Sequence, residues 1–244
     1  MKLTGNTILI TGGASGIGLA LTRHLSALPN RVIVCGRNRA RLAALQADLP
    51  NVQTYPCDLS DEASLGRFVD QVVIAHPDLN VLINNAGVQD NQAFDGNPVD
   101  PSRVRVEIDT NLLAPITLSG RLLPHLMQQE QAAIINITSA LAFAPKKSAA
   151  VYSATKAALR SFSQALRDQL RGSPVSVYEV VPSLVETEMT RDRVASMISP
   201  EQLVKQVLVA LGRDRQEILI GKTRLLYLLN RLSPAFARYI VSHA

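Results

Sequence analysis

Thr11-Gly12-Gly13-Ala14-Ser15-Gly16-Ile17-Gly18 stands directly after the β-branched run Thr7-Ile8-Leu9-Ile10 and directly before Leu19, Leu21 and Leu25, whose spacing is that of a helix face. The three pieces read as a strand, a glycine turn and a helix. Glycines let the backbone bend tightly and approach a neighbouring group, while free N–H groups and the dipole at a helix start attract negative charge. Such a bend suits a pyrophosphate. The spacing is GxxxGxG rather than GxGxxG, and a purely structural strand-to-helix turn is the alternative.

The same alternation continues outward. Short β-branched or aliphatic runs recur at Arg31 to Cys35, Val52 to Cys57, Asn80 to Asn84, Ala132 to Thr138, Val175 to Val181 and Glu217 to Ile220. Between them apolar residues fall three and four apart, as in Leu159, Phe162, Leu166 and Leu170. Strand, helix, strand repeated in this way predicts a parallel sheet covered on both faces, and right-handed crossovers make it doubly wound. The expected fold is α/β, a single doubly wound Rossmann-type domain over residues 1–244 with a seven-stranded parallel sheet and helices on both faces. No fixed-period repeat and no linker rich in Pro, Gly and Ser divides the chain.

Composition removes several classes. With 47% hydrophobic and 18% charged residues, the chain is not mainly disordered, collagen-like or coiled coil. No apolar run approaches the roughly 18 residues of a membrane span, and the beginning of the sequence lacks the order of a secretory signal, so a cytoplasmic location is expected. Cys35 and Cys57 cannot form a framework of several bridges and are expected as free thiols. His24, His76, His125 and His243 stand far apart without ligand spacing, so no metal site is expected and surface positions are their default. The balance of 25 basic against 20 acidic residues suits an anionic ligand. Lys146-Lys147 is only a pair, better read as a solvated loop, and no basic run singles out nucleic acid.

Open α/β sheets bind ligands beyond the carboxyl ends of their strands. The second strand ends at Gly36-Arg37, where a carboxylate would accept from ribose hydroxyls and repel a 2′-phosphate. Gly36 removes that carboxylate and Arg37 offers a planar cation to phosphate, which favours NADP(H) over NAD(H); the plainer reading makes Arg37 one of a basic helix start with Arg39 and Arg41. Asp58, after the third strand, has the chemistry to accept from an adenine amino group or to cap a helix ahead of Leu59. Tyr152-Ser153-Ala154-Thr155-Lys156 puts Tyr152 and Lys156 one helical turn apart. A phenol with an ordinary pKa near 10 ionises more easily beside an ammonium, which fits proton exchange with an alcohol or carbonyl. Ser139, at the end of the fifth strand, is placed to hydrogen-bond the same substrate oxygen. Alone, YxxxK is also met as a surface Tyr and a solvated Lys. Asn136-Ile137-Thr138 spells a glycosylation sequon, but inside an expected core strand.

On these motifs the sequence resembles the classical short-chain dehydrogenase/reductases from Thr11 to near Ile220. TGGASGIG is similar to the family's TGxxxGIG turn and Asn84-Asn85-Ala86-Gly87 to its NNAG element, while Asn111, Ser139, Tyr152 and Lys156 fall on its catalytic tetrad. The stretches EVVPSLVETEM and GKTRLLYLLNRLSP resemble those of a bacterial DltE-like branch. The resemblance implies an oxidoreductase in which Tyr152 is acid/base, Lys156 aids it and holds the nicotinamide ribose, Ser139 orients substrate, and Asn111 holds a water of a proton relay. It implies a cofactor held by Gly12, Ser15, Gly16, Ile17, Gly18, Arg37, Asp58, Leu59, Asn85, Ala86, Gly87, Tyr152, Lys156, Val185 and Thr187. Ser183 stands where the family usually has glycine, which bears on the local backbone path. A homodimer or homotetramer is implied through the helices around Arg103 to Gln128 and Ser153 to Arg171.

The substrate, a small carbonyl or alcohol compound, meets an expected lid over 188–199. Its Met189, Val194, Met197 and Ile198 suit an apolar group and its Arg191 and Arg193 an anion. In the tail, 222–244, Leu225, Leu228, Leu229 and Leu232 share a helical stripe, Ser233-Pro234 opens a second helix, and Arg224, Arg231 and Arg238 recur every seven residues. Packing on the body, on another subunit or on an anionic membrane all fit that pattern. A dinucleotide-binding sensor or scaffold without turnover is the alternative function, although a pure binder has no need of Tyr152 and Lys156 beside Ser139.

Overall fold

Val, Ile and Thr crowd a helix but pack well on a pleated surface, so where they run together the chain extends. In the computed structural model, which describes residues 1–191 and 197–242, seven such runs form strands: β1 (Thr7–Thr11), β2 (Arg31–Gly36), β3 (Val52–Pro56), β4 (Leu79–Asn84), β5 (Ala132–Ile137), β6 (Val175–Val181) and β7 (Glu217–Leu219). All pair in parallel in one sheet of order β3-β2-β1-β4-β5-β6-β7. The connections carry helices α1 (Gly16–Ser26), α2 (Arg39–Asp48), α3 (Glu62–Ala75), α4 (Pro101–Ile108), α5 (Ala114–Leu126), α6 (Ala150–Gln169) and α7 (Pro200–Gly212); α8 (Thr223–Leu232) and α9 (Pro234–Ser242) follow β7.

The chain builds outward from β1 to β3 and then crosses back to lay β4 on the other side of β1. This reversal opens a crevice at the carboxyl ends of β1 and β4. Helices cover both faces: Ile8 and Ile10 pack with Leu21 of α1, Leu42 of α2 and Leu203 of α7, while Leu9 and Ile33 pack with Phe68 of α3, Leu118 of α5 and Leu166 of α6. With both faces covered, β1 and β5 are buried at every residue, which explains their largely apolar pattern.

Polar side chains inside the sheet bond to one another, although Asn84 Oδ1 itself has no hydrogen-bond partner among the described residues. Asn84 and Asn136 are register neighbours; Asn84 Nδ2 donates to Asn136 Oδ1 at 2.8 Å and Asn136 Nδ2 to Ser163 Oγ at 2.8 Å. The sequon asparagine is therefore inside the sheet with its amide engaged. Glu179 of β6 is fully buried, accepts from Thr138 Oγ1 at 2.8 Å, and is ion-paired to Arg160 of α6.

Two expectations need correction. His76 is not at the surface: it ends α3, is 2% exposed, and its Nε2 lies 3.0 Å from Tyr55 Oη. Asp58 does not cap α3. That helix starts three residues later on Asp61, whose Oδ1 accepts from the N–H of Ala63 and Ser64, while Asp58 holds Ser60 through its N–H and hydroxyl. Of the leucine stripe of α8, Leu225, Leu228 and Leu232 face outward while Leu229 is half-buried. Arg193, Val194 and His243 lie outside the described residues.

Candidate active site

The glycine bend is built by backbone needs that other residues do not meet. Gly16 takes φ +51°, a left-handed conformation strained for any side chain. A Cβ at Gly18 would run into the carbonyl oxygen of Gly12 and the amide of Asn85, so α1 approaches the bend closely only with glycine there. Asn85 ties the bend to β4: its Nδ2 donates to the Thr11 carbonyl at 2.9 Å, and Thr11 Oγ1 accepts from the N–H of Asn85 and Ala86 at 3.0 Å each. Ser15 precedes α1 without a side-chain bond to its first N–H groups, and the first turn holds no acidic residue. An exposed helix start of this kind favours an anion.

The bend forms one wall of a cleft of about 530 Å³, within the usual range for small-molecule sites. Gly12, Ser15, Gly16 and Ile17 line it; Arg37, Asp58 and Leu59 line it from the ends of β2 and β3; Asn85, Ala86 and Gly87 line it from β4. Across from them stand Ser139, Tyr152 and Lys156, with Val185 and Thr187 beyond β6. Gly18 and Asn111 do not line the cleft. Gly18 serves the packing just described, and Asn111 stands behind Gly87.

Tyr152 and Lys156 lie on α6, and the Lys156 Nζ is 5.7 Å from the Tyr152 ring centroid. Lys156 is 3% exposed and donates to the carbonyl of Ile137, the last residue of β5, at 2.9 Å. Burial lowers its pKa from 10.5 to about 8, because a low-dielectric setting disfavours the charged form. Ser139 follows β5 as the cap of a short 3-10 turn, its Oγ accepting from the Leu141 N–H at 3.2 Å. Around Asn111 the helix is irregular: a π-helical turn, Asp109–Leu113, joins α4 to α5. Such a turn inserts a residue into the helical repeat and is common at functional sites. Within it Asn111 is pinned to Val88, donating to its carbonyl at 2.7 Å and accepting its N–H at 2.8 Å. A Cβ on Gly87 would lie 3.4 Å from Asn111 Oδ1 and 3.6 Å from Lys156 Nζ, ordinary contact distances, so this segment runs beside both groups.

The rim holds groups that motif reading passed over. Arg41 donates to both carboxylate oxygens of Glu188 at 3.1 and 2.9 Å, and both residues line the cleft beside Arg37. Lys146, read as loop, also lines it. Ser183 sits without left-handed backbone, its hydroxyl against the left-handed Gly221, where any Cβ would collide with it at 2.5 Å. Thr187 caps a 3-10 turn with Thr190, and Val185 bridges to Ile198. Leu226 of α8 and Val241 of α9 reach the cleft as well. A buried carboxylate in the middle of β6 was the sequence signal for the Arg160 pairing, since an isolated charge is not buried without a partner. Among the described residues no three His, Cys, Asp or Glu come together as metal ligands, and no helix is long and apolar enough to cross a membrane.

Residues 6–197 match the short chain dehydrogenase family. The chain is 44% identical over 224 residues to the uncharacterized oxidoreductase DltE of Bacillus subtilis (strain 168), covering 89% of each. It is 30% identical over 253 residues to the ketoacyl reductase HetN of Nostoc sp., covering 95% of this chain and 86% of that protein. Among solved structures, a short chain dehydrogenase from Burkholderia cenocepacia J2315 in complex with NADP superposes with a TM-score of 0.87 at 26% identity over 99% of both chains. A short-chain dehydrogenase from Sphingobium yanoikuyae in complex with NADPH does so with a TM-score of 0.82 at 26% identity over 95% of both. The doubly wound sheet, the glycine bend at its switch point and these likenesses agree, and the chain belongs to the short chain dehydrogenase family, oxidoreductases that act on CH–OH or C=O groups.

Proposed function

We propose that this protein is an NADP(H)-dependent oxidoreductase that exchanges a hydride between nicotinamide and a small carbonyl or alcohol substrate, with Tyr152 as its acid/base and NAD(H) as a second, weaker cofactor. The observation that carries this reading is the burial of the Lys156 ammonium one helical turn from Tyr152, in a cleft shared with Ser139 and the glycine bend. Burying a cation against a lone carbonyl costs stability, and a structural role gives no return for it. The residues fit the cofactor: the uncapped start of α1 suits a pyrophosphate, and exposed Arg37 at a strand end without a carboxylate suits a 2′-phosphate. The NADP and NADPH complexes of the Burkholderia and Sphingobium relatives support the same choice.

When bound, the nicotinamide supplies a hydride to a carbonyl carbon or takes one from an alcohol. The chain's own residues do the rest. Ser139 Oγ holds the substrate oxygen, which fixes the carbon and stabilises charge growing on that oxygen. Tyr152 gives its phenolic proton to that oxygen in reduction and takes it back in oxidation. Lys156, while protonated, favours the phenolate left behind and holds the nicotinamide ribose. Asn111, fixed beside Lys156, keeps a water through which the phenol regains its proton from solvent. Val185 and Thr187 hold the carboxamide, and residues 188–199 close over substrate within one catalytic domain. Helices α4 to α6 form the contact of a homodimer or homotetramer.

The test is loss of NADPH absorbance with purified protein against a panel of aldehydes, ketones and keto esters. Turnover of at least one class is expected. Binding of NADPH with no turnover on any would leave a sensor or scaffold, and no NADPH binding at all would remove the cofactor assignment.

A further inference from the structure

The tail after β7 turns its apolar side outward. In α8, Thr223 is buried and the Tyr227 ring packs on Phe143 with centroids 5.0 Å apart, so this side faces the body. The other side carries Leu225, Leu228 and Leu232, which are 59%, 50% and 84% exposed; spacings of three and four put them on one face. α9 adds Phe236 and Tyr239, 52% and 60% exposed, while its Ala237 is buried. A helix lying on a water-soluble body normally does the reverse, and a contiguous apolar face rimmed by polar groups marks a contact surface.

Charge selects what the face meets. From Ile218 to Ala244 the sequence holds Lys222, Arg224, Arg231 and Arg238 and no Asp or Glu. A second copy docking through the same face would bring two such cationic sets together, because a two-fold contact pairs like with like. Anionic lipid headgroups neutralise them instead, while the acyl boundary takes the leucines. We propose that α8 and α9 dock this protein on an anionic lipid surface, with Leu225, Leu228, Leu232 and Phe236 entering the headgroup–acyl boundary and Arg224 and Arg238 on the phosphates. Leu226 and Val241, one from each helix, line the cleft, so docking brings the mouth of the candidate active site to the lipid.

The test needs no catalysis. The full chain is sedimented with vesicles of phosphatidylcholine alone and with vesicles that also contain phosphatidylglycerol. Binding to the mixed vesicles is expected, with binding to phosphatidylcholine alone weaker by about ten-fold or more. Arg224→Gln with Arg238→Gln should weaken binding about 30-fold, two cations at the usual headgroup contribution. Leu225→Ser with Leu228→Ser and Leu232→Ser should abolish it. All five side chains are exposed, so both variants should unfold within a few degrees of the wild type, which controls for folding. Failure of the wild type to bind mixed vesicles, or unchanged binding by either variant, overturns the proposal. So does a wild-type dimer in light scattering that the leucine variant converts to a monomer while neither binds lipid, which would give the face to a second copy.

Discussion

Arg160→Met is the substitution whose cost follows most directly from the structure. Tyr152, Lys156 and Arg160 are spaced by four along α6, and Arg160 closes that row by pairing with Glu179 inside the sheet. Its guanidinium also lies 4.5 Å from the Phe143 ring centroid and 3.5 Å from Glu217 Oε1. Methionine keeps much of the aliphatic stem and removes the charge. Glu179, 0% exposed, then keeps only the Thr138 hydroxyl as a donor among the bonds described for it. Removing one partner of a buried pair costs about 3–5 kcal/mol, mostly the stranded charge. Burial already raises the pKa of Glu179, and Arg160 is the main influence pulling it down; without Arg160 it rises further. The sign follows: a carboxyl whose folded pKa exceeds its unfolded value of about 4.3 favours the fold at low pH and loses that contribution as pH rises through the folded pKa. The Arg160→Met penalty in urea denaturation should therefore be about 3–5 kcal/mol at pH 8 and smaller by about 1 kcal/mol or more at pH 5. Arg160→Met with Glu179→Leu should recover most of the loss. A penalty under about 1 kcal/mol at pH 8, or one equal at both pH values, would refute a stranded buried charge.

Other consequences are equally measurable. Burial holds the pKa of Lys156 near 8, so if its charge serves Tyr152, kcat/KM for carbonyl reduction falls as pH rises through about 8; a profile flat across that value contradicts the role. Stability moves the other way, because the buried charge penalises the fold below about pH 8 and that penalty is relieved as pH rises toward the unfolded value. Arg37→Asp should weaken NADPH binding roughly 10- to 100-fold in titration while changing NADH binding little, by replacing attraction with repulsion at an exposed rim; equal losses for both would remove Arg37 from phosphate recognition. Gly18→Ala forces a Cβ into the Gly12 carbonyl and the Asn85 amide, so a loss of about 1–3 kcal/mol in denaturation is expected, and wild-type stability would show that the bend relaxes freely.

The strands were legible because their signal is local: a run such as Thr7 to Thr11 extends for steric reasons that no later contact overrides. The glycine bend was legible because only glycine fits positions such as Gly16 and Gly18. Periodicity also found the stripe Leu225, Leu228, Leu229 and Leu232, but it states which residues share a face and not what the face meets, so the exposure of Leu225, Leu228 and Leu232 awaited three dimensions. Glu179 carried a readable sign, a charge inside an apolar strand, yet its partner Arg160 is nineteen residues away and was one arginine among many. Asp58 and Asp61 are equally good caps by residue type, and only the path of the backbone after β3 decides between them. The π-helical turn at Asn111 has no residue signature of its own, and Ser183 became intelligible only with Gly221 in view.

The most direct measurement compares wild type and Tyr152→Phe in NADPH binding and in single-turnover reduction of whichever carbonyl substrate the wild type accepts. Cofactor affinity should be retained and the reduction step slowed by about 10²- to 10⁴-fold, the usual worth of a positioned acid. Undiminished reduction by the phenylalanine variant would contradict the role given to the tyrosine and, with it, the purpose assigned to the buried ammonium beside it.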